Sequence, residues 1–312
     1  MTDILTLGSL NMDLITRTPR LPAPGETILG TAFSTAPGGK GANQAIAAAK
    51  LGAPVKMIGR VGADDFGKML RHNLNAAGVD TQYLITDAKT ATGIASIWVD
   101  DAGQNSIIVA PGANARVSRA DVDAAATAFR DARVIVAQLE IPLDTVEYAF
   151  QLARKHNRLT ILNPAPAQPL TRDLLALADL LIPNETEATL LTGIQTVDFE
   201  SAQNAARVLR ESGARRVLIT LGAQGAVWVD DDAPAQSIAP FPVRVVDTTA
   251  AGDAFVGALA ASLARDNDWT TSLRQASAAG ALATTKLGAQ PALPTRAELD
   301  AFLQSVPPLT AR

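Results

Sequence analysis

Residues 134–162 read VIVAQLEIPLDTVEYAFQLARKHNRLTIL. Two short β-branched runs, Val134–Ala137 and Leu159–Leu162, flank a longer amphipathic stretch, Leu143–Lys155. A strand, a helix and a strand in this order join parallel strands by a crossover. The alternation recurs in both directions along the chain. Ile4–Leu7, 55–58, 180–182 and Val217–Thr220 read as further strands, and 42–50, 65–77 and 202–212 as further helices. The pattern predicts an α/β fold with a mostly parallel sheet covered by helices.

Two segments break the pattern. Residues 15–33 carry Pro19, Pro22, Pro24 and Gly25, then the alternating run ETILGTAF at 26–33, which reads as a strand. Residues 93–99 and 106–110 alternate around a turn at 100–105 and predict a β-hairpin. Four short strands without helices predict a small β-sheet beside the main one. It is either a flap that keeps water from a site or an edge extension. Ala-rich 124–128 and 276–283 fit close helix packing.

At 312 residues the chain suits either two domains or one large α/β domain with an appendage. It has no cysteine, which excludes disulfides, thiolate nucleophiles, Fe–S clusters and Cys-type zinc sites. Its two histidines, His72 and His156, both fall in helix-surface contexts, which leaves little for a His-based metal site. Chemistry here must run on carboxylates, amides, backbone donors and a bound ion. A net charge of −4 with no basic run argues against nucleic acid. No apolar stretch reaches the roughly 18 residues of a membrane span. The start, MTDILTLGSLNMD, lacks a basic region before its apolar residues, so a cytoplasmic location is expected.

Three glycine-rich stretches invite a ligand. GADDFGKM at 62–69 approaches a Walker A loop, but Met69 stands where Ser or Thr would hold magnesium. Asp64 and Asp65 would also face the phosphates, so the stretch reads as a turn in which one of them caps a helix. GGKGANQ at 38–44 admits two readings: a backbone cradle with Lys40 and Asn43 as donors, or a helix-capping turn with Lys40 in solvent. VDTTAAGDAF at 246–255 sets small residues at a helix start, which leaves bare N–H groups for an anion. Asp253 then either accepts a proton beside that anion or caps the helix.

Taken in order, these motifs resemble the ribokinase/PfkB-type family of carbohydrate kinases across residues 8–302. The resemblance is carried by GSLNMD (8–13), GGKGANQA (38–45), GRVGADDFG (59–67) and QLE (138–140). NPAP (163–166), PNETE (183–187), TLG (220–222), DTTAAGD (247–253) and GAQP (288–291) complete the series. It implies a three-layer α/β/α sandwich over 1–312, with a lid formed by two insertions, about 12–36 and 91–111. The implied activity is transfer of the ATP γ-phosphoryl to the primary 5-hydroxyl of D-ribose, with a nucleoside or another sugar (2-deoxyribose, a ketose) as alternative acceptors. A non-catalytic sugar-binding protein is the reading from another class; the intact base and anion-hole motifs speak against it.

Position by position, the resemblance makes Asp253 the catalytic base and Ala250, Ala251 and Gly252 the anion hole. Asn11, Asp13, Gly39, Lys40, Asn43 and Glu140 match the sugar pocket. Asn184, Thr220, Gly222, Gly225 and Ser277, with Gly252, match the nucleotide site. Glu187 matches the acid that organises Mg²⁺ through water. Asp247, Thr249, Ala283, Lys286 and Gly288 match a monovalent-cation (K⁺) site. The family often has Gly where this chain has Ala250, and a Ser oxygen where it has Ala292, so one potassium ligand is absent. A homodimer through the lid is implied too, since lid strands leave an edge and an apolar face to cover.

Overall fold

In the computed structural model, which describes residues 3–230 and 234–306, the strands fall into two sheets. They are β1 (Ile4–Leu7), β2 (Asn11–Arg17), β3 (Ala32–Gly38), β4 (Val55–Gly62), β5 (Val79–Asp87), β6 (Gly93–Val99) and β7 (Asn105–Ala110). Then come β8 (Val134–Ala137), β9 (Leu159–Leu162), β10 (Leu180–Leu181), β11 (Val217–Thr220), β12 (Ala226–Val229) and β13 (Gln236–Ile238). The large sheet runs β13-β12-β11-β10-β9-β8-β1-β4-β5 and the small one β3-β2-β6-β7. The large sheet is parallel from β5 through β11, and β12 and β13 close it antiparallel.

Successive side chains of a strand face opposite sides, and here both sides are dry. Ile4, Val134 and Val136 join one apolar cluster with the helices Lys40–Lys50, Asp65–Ala76, Ala251–Leu263 and Trp269–Ala283. Leu5, Leu7, Ile135 and Ala137 join the other, against Leu143–Lys155 and Phe199–Glu211. The result is an α/β/α sandwich. Each buried Leu, Ile or Val contributes about 1.5–3 kcal/mol to holding a layer in place.

The chain winds outward from β1 in two directions, through β4 and β5 on one side and β8 to β11 on the other. A parallel sheet that reverses its strand order opens a crevice beyond the carboxyl ends of its strands. Ser9, Gln138, Asn163 and Thr220 all lie at or just past such ends. The small sheet springs from the same place. Asn11 opens β2 and pairs with Gly38, the last residue of β3, and with Gly93, the first of β6.

Of the run 26–33 only Ala32 and Phe33 belong to a strand, the start of β3. The ladder with β2 stops at Arg17 and Ala32, beyond which Thr31 N still reaches Arg17 O at 2.8 Å, and Leu29 is 88% exposed. Strand β4 runs on to Gly62 because β5, unassigned from sequence, pairs with it there. Asp64 caps the Asp65–Ala76 helix, accepting from Gly67 N at 2.8 Å. No helix among the described residues is long and apolar enough to cross a membrane.

Candidate active site

The helix Ala251–Leu263 starts from Ala250, which takes a left-handed conformation at φ 59° and offers no side-chain cap. Asp253 therefore does not cap its helix. Its carboxylate turns inward and is 7% exposed. Asn43 Nδ2 donates to Oδ2 at 2.9 Å, and Gln44 Nε2 donates to Oδ1 at 2.9 Å. Burial pushes the Asp253 carboxyl up from the ordinary value, against the opposing pull of Lys40 and the two amides. At the helix start the Ala251 N–H is taken by the Thr248 carbonyl at 3.2 Å. The N–H groups of Gly252 and Asp253 meet no acceptor among the described residues. Gly252 itself is exposed and faces open space. Of the three positions expected to form an anion hole, Gly252 is free to donate and Ala251 is engaged, because the tight turn at Ala250 folds Thr248 back over it.

Helix Lys40–Lys50 brings Lys40, Asn43 and Gln44 to the same point. Its entry is Gly39 at φ 91°, where a Cβ would lie 2.7 Å from Asn11 N, so only glycine fits both the turn and the close approach. Lys40 does not drift in solvent. Burial alone would lower it, but the carboxylates of Asp253, Glu140 and Glu187 outweigh that and hold its ammonium above the ordinary value.

Beyond β1 a second polar group forms. Glu140 accepts from Ser9 Oγ at 2.5 Å, from Lys40 N at 3.1 Å and from Asn11 Nδ2 at 3.5 Å. Asn11 is buried, and its Oδ1 accepts from Asn114 Nδ2 at 2.8 Å, which turns its own amide nitrogen toward Glu140. The Asp13 side chain makes no hydrogen bond among the described residues. Burial, with Glu140 and Asp253 nearby, pushes its carboxyl up to about 7. A half-buried carboxylate left without a donor has not recovered the solvation it lost.

Asn184 and Glu187 form a reciprocal cap at the start of the Glu185–Thr192 helix, with bonds of 2.8 and 2.9 Å. Glu187 is 8% exposed, and burial raises its carboxyl; the charges of Lys40 and Asp253 both reach it. Asn184 bridges to Thr220, and the turn after Thr220 places Gly222 and Gly225 at positive φ. Asp247 draws two segments together, accepting from Thr249 N at 2.9 Å, Thr249 Oγ1 at 2.6 Å and Gly288 N at 2.8 Å. Burial would raise Asp247, but those three donors outweigh it and lower its carboxyl. Ala283 ends its helix nearby in sequence, and Lys286 sends its ammonium to Glu298 at 2.5 Å. Ala292 is fully buried and brings a methyl group. Ser277 lies on the Trp269–Ala283 helix and makes no bond to the groups above.

Several participants were not singled out from sequence. Gln44 Nε2 also donates to Asn163 Oδ1 at 3.0 Å, and its Oε1 accepts from Gln138 Nε2 at 2.5 Å. Gln290 Nε2 donates to Asn43 Oδ1 at 2.9 Å. These residues belong to the stretches GGKGANQ, NPAP, QLE and GAQP, so the available signal was an amide in each glycine- or proline-marked turn. Asn114 and Asn73 carried no such signal.

A family model described as pfkB family carbohydrate kinase matches residues 1–296. The chain is 42% identical over 301 residues to a ribokinase of Haemophilus influenzae, covering 96% of this chain and 98% of that one. It is 37% identical over 302 residues to a deoxyribokinase of Salmonella typhi, with 96% and 98% covered. Its fold is similar to a structure of Arabidopsis thaliana ribokinase complexed with ribose and ATP, with a TM-score of 0.91, 33% identity, and 97% and 99% of the two chains covered.

Proposed function

The chain belongs to the pfkB family of carbohydrate kinases, and from that premise we propose that it transfers the γ-phosphoryl group of ATP to the 5-hydroxyl of D-ribose. The products are D-ribose 5-phosphate and ADP. One observation carries the reading: a buried carboxylate, Asp253, is held by two amides at a helix start where the Gly252 and Asp253 N–H groups meet no acceptor among the described residues.

In this reading Asp253 accepts the proton of the sugar hydroxyl as its oxygen attacks phosphorus. Burial raises the affinity of this carboxyl for protons, which makes it a stronger base than a free aspartate. The N–H groups of Gly252 and Asp253, with the Lys40 ammonium, meet the negative charge of the transferring group. Asn11, Asp13, Gly39, Lys40, Asn43 and Glu140 hold the sugar. Asn11 supplies a donor, and Asp13 and Glu140 supply acceptors, for hydroxyls on adjacent carbons. Removing one such hydroxyl leaves a buried group unpaired at about 1–3 kcal/mol, which favours ribose over 2-deoxyribose.

Asn184, Thr220, Gly222, Gly225 and Ser277 belong to the nucleotide side of the crevice. Glu187 fits a water-mediated hold on Mg²⁺: it is an acidic oxygen donor, and only one of its oxygens is engaged, by Asn184 N. When bound, Mg²⁺ neutralises phosphate charge. We also assign a K⁺ site to Asp247 and to the backbone carbonyls of Thr249, Ala283, Lys286 and Gly288. The support is the closed bridge between Thr249 and Gly288 through Asp247, and Ala292 removes one oxygen from that site. The protein acts in the cytoplasm, where ATP and Mg²⁺ are supplied, as a homodimer paired through the small sheet.

The likeness to a deoxyribokinase supports a second reading, with 2-deoxyribose as acceptor. A coupled ADP-release assay with MgATP against ribose, 2-deoxyribose, ketoses and nucleosides separates the two. Ribose is expected to give the highest kcat/KM, and a higher value for 2-deoxyribose or a nucleoside overturns the assignment. Running the assay with and without K⁺ tests the cation site.

A further inference from the structure

A carboxylate acting as a base has no proton to give, so every amide that meets it must present nitrogen. That requirement propagates. Asn43 turns Nδ2 to Asp253 Oδ2, at 2.9 Å, which sends its Oδ1 to the far side. There Gln290 must present nitrogen in turn, and its Nε2 donates to Asn43 Oδ1 at 2.9 Å. The oxygen of Gln290 then faces Asn73, whose Nδ2 donates to it. The sense of each bond is fixed by the one before.

We propose that Asn73, on the Asp65–Ala76 helix, and Gln290, in the turn Gln290–Ala292, are positioning residues that lock Asn43 in the amide orientation able to donate to the base. Packing alone cannot make that choice, because an Asn or Gln side chain keeps its shape when nitrogen and oxygen exchange places. Solvent does not make it either, since Asn43, Gln290 and Asp253 are 6%, 5% and 7% exposed. A flipped Asn43 would set its oxygen against Asp253 Oδ2, two acceptors with no proton between them. The charges facing Asp253 are those of Lys40, Glu140, Asp13 and Glu187, and none of them touches this relay. The inference rests on Asp253 being the base.

The test reverses the relay from its far end. Asn73→Asp offers Gln290 an acceptor, so Gln290 turns its nitrogen outward and Asn43 flips in response. Turnover is expected to fall roughly ten- to hundredfold, the worth of a hydrogen bond to a charged group, while KM for MgATP stays within about twofold. The Asp253 carboxyl, followed by ¹³C NMR on the protein without substrates, should titrate at a pH about one unit higher, having lost a charge-assisted donor. Asn73→Gln keeps an amide that can donate to Gln290 Oε1 and should restore both readouts. Gln290→Glu cannot donate to Asn43 and should reproduce the defect, which covers the case in which Asn73→Asp does not fold. Unchanged turnover and titration in the acidic variants overturn the proposal. So does an equal loss in Asn73→Gln, which would mark a packing role. Because the titration needs no substrate, a shifted Asp253 in a protein inert toward ribose leaves the relay standing and removes the ribose reading instead.

Discussion

Asp13 and Asp253 carry the same side chain at neighbouring points of one crevice, and their partners give them different work. Asp253 is held at both oxygens and can act only along a fixed direction. Asp253→Asn keeps the shape and loses the ability to take a proton, so turnover should fall by roughly 10²–10⁴, with KM for sugar and nucleotide little changed. Steady-state ADP release measures both, and retained turnover removes Asp253 as the base. The Asp13 carboxyl has no donor among the described residues, and burial with Glu140 and Asp253 nearby pushes it up to about 7 from the ordinary 3.8. The sign follows from linkage. The folded protein holds this proton more tightly than the unfolded chain, so the favourable contribution is complete below about pH 4 and is lost as pH rises to 7. Asp13→Asn should therefore match wild type in stability at the acid end and exceed it by on the order of 1–3 kcal/mol at pH 8. Thermal melts at several pH values check this, and a variant that is less stable at pH 8 refutes it. The same variant should lose sugar affinity, since stability at this position is given up for an unpaired acceptor.

Two helices set the distance between the Asp253 carboxylate and the amides that hold it. Lys40–Lys50 crosses Ala251–Leu263 at Gly257, where an added Cβ would lie 2.5 Å from Ala47 Cβ and 2.6 Å from Gln44 O. Gly257→Val must push the helices apart, moving Asn43 and Gln44 away from Asp253. A loss of about 1–3 kcal/mol in stability is expected, together with a drop in kcat; a lowered Tm with kcat intact would show that the crossing does not set the site. Elements buried on both faces were the ones written plainly in the sequence. Strands β1, β8, β9 and β11 match their apolar runs residue for residue, and the helix Leu143–Lys155, buried on one face, matches its amphipathic period. Strand β5 alternates half-buried and polar residues, and β13 is three residues at an edge, so neither declares itself. Residues 26–33 alternate as a strand should, yet pairing, not pattern, makes a strand. The site divides the same way. Lys40, Asn43 and Asp253 were legible from glycines at helix starts. Gln290 was not, because its role depends on which of its atoms meets Asn43, a residue 247 positions away in the chain.

At the scale of the molecule, the crevice is shared between the two sheets. Asn11 and Asp13 belong to β2, Gly38 ends β3, and the large sheet ends its strands beneath them, so anything that steadies the small sheet steadies the proposed sugar site. That sheet is poorly finished on its own. Phe33 is 66% exposed, and Ile107, Ile108 and Val109 along the edge strand β7 are 53%, 64% and 43% exposed. Ile107 and Ile108 point to opposite faces, so β7 is apolar on both, an arrangement that a lone chain would carry as an aggregation hazard. A second copy laid against it covers the edge and stiffens the cover over the crevice in one step. The expected state is therefore a dimer paired through the small sheets, seen by sedimentation or light scattering at micromolar concentration. Ile108→Asp, which places a charge in the middle of that surface, should give monomers whose far-UV circular dichroism is unchanged and whose KM for sugar is raised, because the sheet carrying Asn11 and Asp13 has lost its support. A wild-type monomer, or an Ile108→Asp variant that still dimerises, would move the interface elsewhere. A monomeric variant with unaltered KM would separate the assembly from the site.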